Sequence, residues 1–269
     1  MTHRSYLFVP ADRPERFDKA LRAGADAVIV DLEDAVAPAA KPAARDALAG
    51  WLASAEAQPV VVRINAAQTP WFDDDLRLCT QAAVQAVVVP KAESAEVLAH
   101  VAARAPGKAV LPLVESAAGI DALRSLGAVA GVARLVFGSI DFQADLGIEG
   151  EDDALLFFRS QIVLASRLAG LDAPVDGVTT ALGDDGAVAQ DTARARRLGF
   201  GAKLCIHPRQ VAAVNQGFMP SAQELDWAQR VLAAAQASGG AAVAVDGKMV
   251  DAPVLLRAQR LLARAAPRG

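Results

Sequence analysis

The sequence of 269 residues lacks several features that mark whole classes of protein. It has no long uncharged apolar stretch, so no transmembrane helix is predicted. The first apolar run, residues 6–10, is too short for the core of a signal peptide, and a cytoplasmic location is therefore expected. Only two cysteines are present, Cys79 and Cys205, far apart and outside any C-x-x-C motif. This scarcity argues against a disulfide framework or a zinc site and predicts buried free thiols.

An excess of basic residues is also missing, because 27 Lys and Arg stand against 31 Asp and Glu. With a formal net charge of −4, nucleic acid is not expected as a partner. No G-x-G-x-x-G motif follows an apolar run, which disfavours an open dinucleotide-binding sheet. The hydrophobic content of 53% supports a large core. Together these features favour a globular protein that acts on small molecules.

Short runs rich in Val, Ile, Leu and Phe alternate with stretches of helical composition through the first 210 residues or so. Alternation of this kind is typical of a parallel sheet wrapped by helices, and continuous apolar runs suit strands that are buried on both faces. We count eight runs, which predicts a (β/α)8 TIM barrel over residues 1–215. The predicted strands are residues 5–10, 27–34, 60–65, 86–91, 110–116, 135–141, 174–178 and 202–208.

Residues 216–269 exceed what a barrel needs, and their pattern predicts a helix-hairpin-helix extension. A helix from 221 to about 238 begins with Ser221 and Glu224, the signature of a capping box. Asp246-Gly247 between two short apolar arms predicts a two-residue β-turn. A last amphipathic helix runs from 253 to about 265. We expect this extension to be an arm or lid rather than a second domain.

Polar residues stand at the predicted carboxyl ends of most strands, where barrels of this type place their active sites. Taken singly, each has an ordinary structural explanation: Arg63 could pair with Asp31 or Glu33, for example. Many charges on one rim are not expected to stabilise the fold, because the free energy lost on desolvating a buried ion pair often equals what the pairing contributes. The set therefore favours function. Its members are Asp31, Glu33, Asp34, Arg63, Asn65, Lys91, Glu93, Glu115, Asp141, Asp176 and His207.

Glu115 and Asp141 end neighbouring predicted strands, so their carboxylates could approach one point. Two oxygen ligands without a histidine or cysteine companion suit Mg²⁺, which keeps positions open for water and substrate. A carboxylate pair bonded to nearby backbone N–H groups is an equal alternative from spacing alone.

These residues lie in stretches that resemble the CitE-like proteins, relatives of the citrate lyase beta subunit in the HpcH/HpaI aldolase superfamily. The similarity runs from residue 4 to residue 251 in the family's order. The matching stretches are R-S-Y-L-F-V-P-A from Arg4, D-L-E-D-A-V from Asp31, V-R-I-N from Val62, P-K-A-E from Pro90, G-S-I-D-F-Q-A-D-L-G from Gly138, K-L-C-I-H-P from Lys203 and V-D-G-K-M-V-D from Val245.

The resemblance implies a TIM barrel with Mg²⁺ held by Glu115 and Asp141, and with Arg63 and Glu115 contacting the substrate. It also implies that Asp251 is an acid/base group, and that the protein forms trimers in which one subunit's extension covers a neighbour's barrel. Lys91 is a candidate contact for coenzyme A, together with Lys41 and Arg45, for which surface ion pairing is at least as good an explanation.

The implied reaction is cleavage of a 3-hydroxyacyl-CoA of the citryl-CoA, malyl-CoA or citramalyl-CoA type into an acyl-CoA and a 2-keto acid, or the reverse condensation. Family membership does not fix the substrate. One alternative is a pyruvate aldolase acting on free hydroxy-keto acids, but D-L-E-D lacks the histidine that those relatives carry near strand two. The other is a subunit that works only beside an acyl carrier or transferase partner.

Overall fold

A computed structural model describes residues 3–237 and 243–265. The chain divides into two compact units, Met1–Asn215 and Gln216–Gly269. No helix of the described residues is long and apolar enough to cross a membrane. Cys79 and Cys205 are both buried and free, as predicted.

The first unit is a closed barrel of eight parallel strands in sequential order, which confirms the predicted (β/α)8 fold. The strands consist largely of Val, Ile, Leu and Ala and are almost entirely buried, because helices cover the outside while side chains from the strands fill the interior. They are β1 (Ser5–Pro10), β2 (Ala27–Asp31), β3 (Val60–Arg63), β4 (Val84–Val89), β5 (Ala109–Val114), β6 (Val136–Phe137), β7 (Val175–Asp176) and β8 (Ala202–Cys205).

Helices follow the strands around the barrel. Side-chain oxygens of Ser94 and Ser116 accept hydrogen bonds from the first turns of α4 and α5, and so fix where these helices begin. In the described residues the helices are α1 (Phe17–Leu21), α2 (Lys41–Leu52), α3 (Phe72–Leu78), α4 (Ala95–Arg104), α5 (Ala117–Asp121), α6 (Leu123–Gly127), α7 (Ser139–Leu146), α8 (Asp152–Leu168), α9 (Asp185–Leu198), α10 (Pro208–Gly217), α11 (Ala222–Ala237) and α12 (Ala252–Ala265).

Several strands end earlier than their apolar runs suggest. The prediction for residues 135–141 is wrong in its second half: β6 stops at Phe137, and Asp141 lies in the first turn of α7. The break lies at Gly138, whose ψ of 72° departs from the extended backbone of a strand. A side chain would not fit at this position, because an added Cβ would come within 2.6 Å of the Glu115 Cβ. The chain turns there and starts a helix, which still leaves Asp141 on the carboxyl side of β6.

The second unit pairs α11 and α12 with a hairpin of β9 (Val243–Val245) and β10 (Lys248–Val250), as predicted. Ser221 and Glu224 form the expected reciprocal capping box. Asp246 and Gly247 both adopt positive φ, at 50° and 72°, as a tight type I′ turn requires. The predicted end of the first helix at residue 238 lies outside the described residues. A small core that includes Ala228, Val231 and Leu261 holds this unit together.

Candidate active site

A cavity of about 380 Å³ opens at the carboxyl end of the barrel strands. One side of the cavity is lined by acidic residues and one arginine, and the other side is apolar. The cavity can therefore bind a charged group on one side and an apolar group on the other. The acidic side consists of Asp31, Asp34, Glu115 and Asp141 around Arg63, and the apolar side includes Phe8, Phe137, Ile140, Val178, Leu204 and Ile206.

Glu115 is held in place by a backbone N–H group. It follows β5 directly and is 4% exposed. Its Oε1 accepts a hydrogen bond of 2.7 Å from the N–H of Lys91, a residue with an unusual φ of 47°. The other oxygen, Oε2, is buried and has no hydrogen-bond partner among the described residues. A buried carboxylate oxygen without a partner is costly, which marks Oε2 as a position for a ligand.

Asp141 faces the same cavity from the exposed first turn of α7. Burial, together with the weaker effect of the nearby Asp141 charge, raises the pKa of Glu115 to about 7, while the Lys91 N–H acts to lower it. Partial burial also raises the pKa of Asp141, and the Asp34 charge raises it to a lesser extent. Negative groups that raise one another's pKa create a site where a cation is stabilising.

The donor set fits Mg²⁺. No group of three or more His, Cys, Asp or Glu side chains in the described ranges is arranged to hold a metal ion. Two carboxylates, one of them with a free oxygen, suit a hard cation that keeps water and substrate oxygens as its remaining ligands. Glu115 and Asp141 are the residues that would hold it.

Magnesium is expected to stabilise the protein more at pH 8 than at pH 6. Because the pKa of Glu115 is raised to about 7, ionising it in the folded protein costs stability as the pH rises through 7, and a bound cation offsets that cost. At pH 6 protonation should weaken Mg²⁺ binding by about tenfold. Thermal unfolding at a fixed Mg²⁺ concentration measures how far the ion raises the melting temperature at each pH. In Glu115→Gln the Mg²⁺-induced shift should no longer depend on pH. Equal Mg²⁺-induced shifts at both pH values in the wild type would contradict the assignment.

Arg63 lies at the centre of an ion-pair network. The register places Asp31 beside Arg63 on adjacent strands. Arg63 Nε and Nη2 donate hydrogen bonds of 2.7 Å each to the two Asp31 oxygens. Its Nη1 donates to Asp34 Oδ2 at 3.0 Å and lies 3.1 Å from Glu33 Oε2. Burial opposes the charge of Arg63, but the Asp31 carboxylate keeps the pKa of the guanidinium above its ordinary value.

This network corrects one part of the sequence analysis. Arg63 was expected to contact the substrate, but its Nε–Nη2 edge, the one suited to a two-point hold on a carboxylate, is occupied by Asp31. Only Nη1 is left for a substrate. Burial raises the pKa of Glu33 to about 8 despite the nearby Arg63 charge, and Glu33 does not line the cavity. What faces the cavity is therefore Nη1 with its exposed partner Asp34.

Two expected coenzyme A contacts have structural roles instead. The Lys41 ammonium group is buried, where it donates to the carbonyl oxygens of Leu32 and Glu33 at 2.9 and 2.7 Å and lies over the ring of Trp71. It therefore fixes the loop that carries Asp34. Arg45 pairs with Asp74 and Asp75. Lys91 has an exposed side chain near this rim and stays a candidate contact.

The start of α7 was not recognised in the sequence. The first N–H groups of a helix have no acceptor within the helix and suit an anion. Ser139 and Ile140 line the cavity there, and the Ser139 hydroxyl is buried with no hydrogen-bond partner among the described residues. The only available signal was Gly138-Ser139 before a stretch of helical composition, and the apolar residues ahead of it obscured this signal.

Asp251 belongs to the second unit, where its local geometry is that of a helix cap. Its exposed side chain caps α12: Oδ1 accepts a hydrogen bond of 3.1 Å from the N–H of Val254. A cap of this kind does not preclude proton transfer, because the second oxygen remains available. The structure thus brings Arg63, Glu115 and Asp141 around one cavity, while a catalytic role for Asp251 stays a prediction.

The protein has the architecture of metal-dependent barrel enzymes. Its eight parallel strands form a closed barrel, and a carboxylate pair and a buried arginine lie at the carboxyl rim. The chain belongs to the HpcH/HpaI aldolase/citrate lyase family, whose model matches residues 4–208. This finding confirms the resemblance inferred from the sequence motifs.

Full-length relatives agree with the family assignment. The chain is 39% identical to a citrate lyase subunit beta-like protein of Deinococcus radiodurans, covering 98% of this chain and 97% of that protein. It is 34% identical to a (3S)-malyl-CoA thioesterase of Cereibacter sphaeroides, covering 97% and 94%. CitE of Mycobacterium tuberculosis in complex with magnesium, acetoacetate and coenzyme A superimposes with a TM-score of 0.86 at 39% identity, covering 98% of both chains. That protein has also been seen with magnesium and pyruvate.

Proposed function

We propose that this protein is a magnesium-dependent carbon–carbon lyase that splits a 3-hydroxyacyl-CoA thioester into an acyl-CoA and a 2-keto acid, or catalyses the reverse condensation. The observation that carries the proposal is the buried, unpartnered Glu115 Oε2, which shares a cavity with Asp141 and Arg63. The M. tuberculosis relative supports it, since its complexes contain magnesium, coenzyme A and small keto acids.

The reaction requires a proton to leave the hydroxyl group, the departing keto acid to be held, and the thioester enolate to be stabilised. A Mg²⁺ ion on Glu115 and Asp141 would supply a Lewis acid for the keto-acid oxygens. The N–H groups at the start of α7 would orient a substrate carboxylate. Arg63 Nη1 would balance negative charge that develops in the cavity, and Asp251 would accept or return the proton. Lys91 would contact the phosphates of coenzyme A.

The extension supplies Asp251, and we place its action across subunits. Asp251 follows a hairpin at the start of α12, which suits a residue carried on an arm. In a trimer of this protein, the extension of one subunit would cover the barrel mouth of another and complete its site. A cytoplasmic location accords with substrates made and used inside cells.

Purified protein should consume at least one of malyl-CoA, citramalyl-CoA and citryl-CoA when Mg²⁺ is present and none when it is chelated. Chromatography of the CoA species measures this directly. Activity without any partner protein would exclude an obligate-subunit role. Activity on free hydroxy-keto acids with no activity on the thioesters would favour the aldolase alternative and sink the proposal.

A thioesterase is a second candidate because of the (3S)-malyl-CoA thioesterase relative at 34% identity. The same cavity could direct water to the thioester carbonyl instead of cleaving a carbon–carbon bond. Hydrolysis releases a free CoA thiol and a hydroxy acid, whereas the lyase reaction releases a keto acid and leaves the thioester intact. Thiol and keto-acid assays on one reaction mixture separate the two.

Arg63→Lys is expected to lower kcat/KM by about 100-fold, nearly as much as Arg63→Ala. One ammonium group cannot satisfy both buried Asp31 oxygens and also present a donor to the cavity. The Ala variant should also be the less stable of the two, by about 3 kcal/mol, since it leaves the buried Asp31 carboxylate with only its backbone hydrogen bonds, from the N–H groups of Glu33 and Ala35, and without a cation. Steady-state kinetics with thermal unfolding tests this pair. Wild-type efficiency in the Lys variant would show that charge alone matters at this position.

A further inference from the structure

The three carboxylates around Arg63 differ in their access to solvent. Asp31 and Glu33 have side chains that are 1% and 10% exposed, whereas the Asp34 side chain is 62% exposed. Asp34 also lines the cavity, at the end of a loop that Lys41 fixes through the carbonyl groups of Leu32 and Glu33. Asp34 is thus the one member of this trio that could move into water without leaving a cavity in the core.

Arg63 has one edge left for a ligand. The Nε–Nη2 edge is saturated by Asp31, and the Phe8 ring lies 4.9 Å from the guanidinium carbon. An anion that enters the cavity would therefore meet Nη1, whose hydrogen bond to Asp34 Oδ2 is 3.0 Å long. The two carboxylates of Asp31 and Asp34 already outnumber the single positive charge of Arg63, so a further anion alongside them would be repelled.

We propose that Asp34 is a displaceable carboxylate: it holds the anion position on Arg63 Nη1 in the free enzyme and withdraws to solvent when a substrate carboxylate or enolate takes its place. The inference deepens the proposed function and rests on it, because it requires Arg63 to contact the substrate. Asp31 pairs with the guanidinium in both states, and exchange of one carboxylate for another keeps Nη1 hydrogen-bonded as well, which avoids the cost of a buried donor without an acceptor.

Calorimetric titration with pyruvate at saturating Mg²⁺ tests the displacement. Asp34→Ala removes the competitor and should tighten pyruvate binding about threefold to fivefold, the range expected for loss of one exposed ion pair. Asp34→Asn keeps an oxygen that can still accept from Nη1 and should give an intermediate affinity. The control is Asp145→Asn, which removes an exposed charge on α7, where Asp145 accepts a hydrogen bond from the N–H of Ala117 rather than from Arg63. Its affinity should equal that of the wild type.

Weaker or unchanged pyruvate binding in Asp34→Ala would overturn the inference. So would equal tightening by the Asn and Ala variants, because that result reports only a loss of negative charge. Failure of the proposed function looks different: the wild type would bind no pyruvate with Mg²⁺, or Arg63→Lys would bind it as the wild type does. Either of these outcomes would show that the substrate does not contact Arg63, and the proposed displacement of Asp34 would then be wrong as well.

Discussion

Replacing Asp251 with asparagine is expected to lower turnover by about 100-fold to 10,000-fold without lowering the melting temperature. An asparagine oxygen can still accept the hydrogen bond from the Val254 N–H that caps α12, so the helix keeps its start. An amide cannot accept and return a proton at neutral pH, so acid/base catalysis is lost. Steady-state turnover on the accepted thioester, with thermal unfolding of the same samples, measures both quantities.

Two further variants separate the catalytic role of Asp251 from its capping role. Asp251→Ala should lose the same turnover but also about 1 kcal/mol of stability, because the cap is removed. Asp246→Asn is the matched control: Asp246 is an exposed acid of the same hairpin, paired with Arg230, and its φ of 50° also suits asparagine. It should keep wild-type turnover. Normal turnover in Asp251→Asn would confine Asp251 to the cap.

Subunit mixing tests whether Asp251 acts across an interface. Asp251→Asn is expected to be inactive because its extension lacks the acid/base group. Asp141→Asn is expected to be inactive at limiting Mg²⁺ because its barrel holds the metal less firmly. If the subunits exchange, some sites will combine an intact barrel with an intact arm, and partial activity should return. Proven exchange without recovery of activity would place Asp251 at its own barrel.

Asp141→Asn is expected to reduce activity at limiting Mg²⁺ by about 100-fold, with partial recovery as Mg²⁺ is raised. The substitution keeps the size of the side chain but removes the charge opposite Glu115, so the metal is held less firmly. Calorimetric Mg²⁺ titration and activity against Mg²⁺ concentration should shift together.

The control for this prediction lies on the same helix. Asp145 is one turn further along α7, where it accepts a hydrogen bond of 2.8 Å from the N–H of Ala117. Asp145→Asn retains an acceptor and should leave Mg²⁺ affinity and activity unchanged. Full activity of Asp141→Asn at limiting Mg²⁺ would remove Asp141 from the metal site.

The barrel was predictable because its signal is local and repeated. Runs such as residues 86–89 and 109–114 are apolar over their whole length, a pattern typical of strands buried on both faces. Strand ends were not predictable to the residue. β6 contains two residues, and the apolar residues beside it could not show that the backbone leaves the strand conformation at Gly138.

The site was predictable in its members but not in their pairings. Glu115, Asp141 and Arg63 do line one cavity, because parallel strands bring their ends to a common rim. Which carboxylate occupies which edge of Arg63 depends on the register of β2 and β3, which the sequence does not specify. Asp176, counted among the rim charges, is instead fully buried against Arg159 at 2.9 Å. That ion pair depends on packing of α8 that no local motif reveals.

Product analysis of the reaction in the presence and absence of Mg²⁺ tests the central claim most directly. With Mg²⁺, each molecule of the accepted 3-hydroxyacyl-CoA should yield one acyl-CoA and one 2-keto acid, with no free CoA thiol. Chelation should stop both products, and Glu115→Gln should behave as the chelated enzyme does. Release of the CoA thiol without a keto acid, or undiminished product formation after the metal is removed, would contradict a magnesium-dependent carbon–carbon lyase.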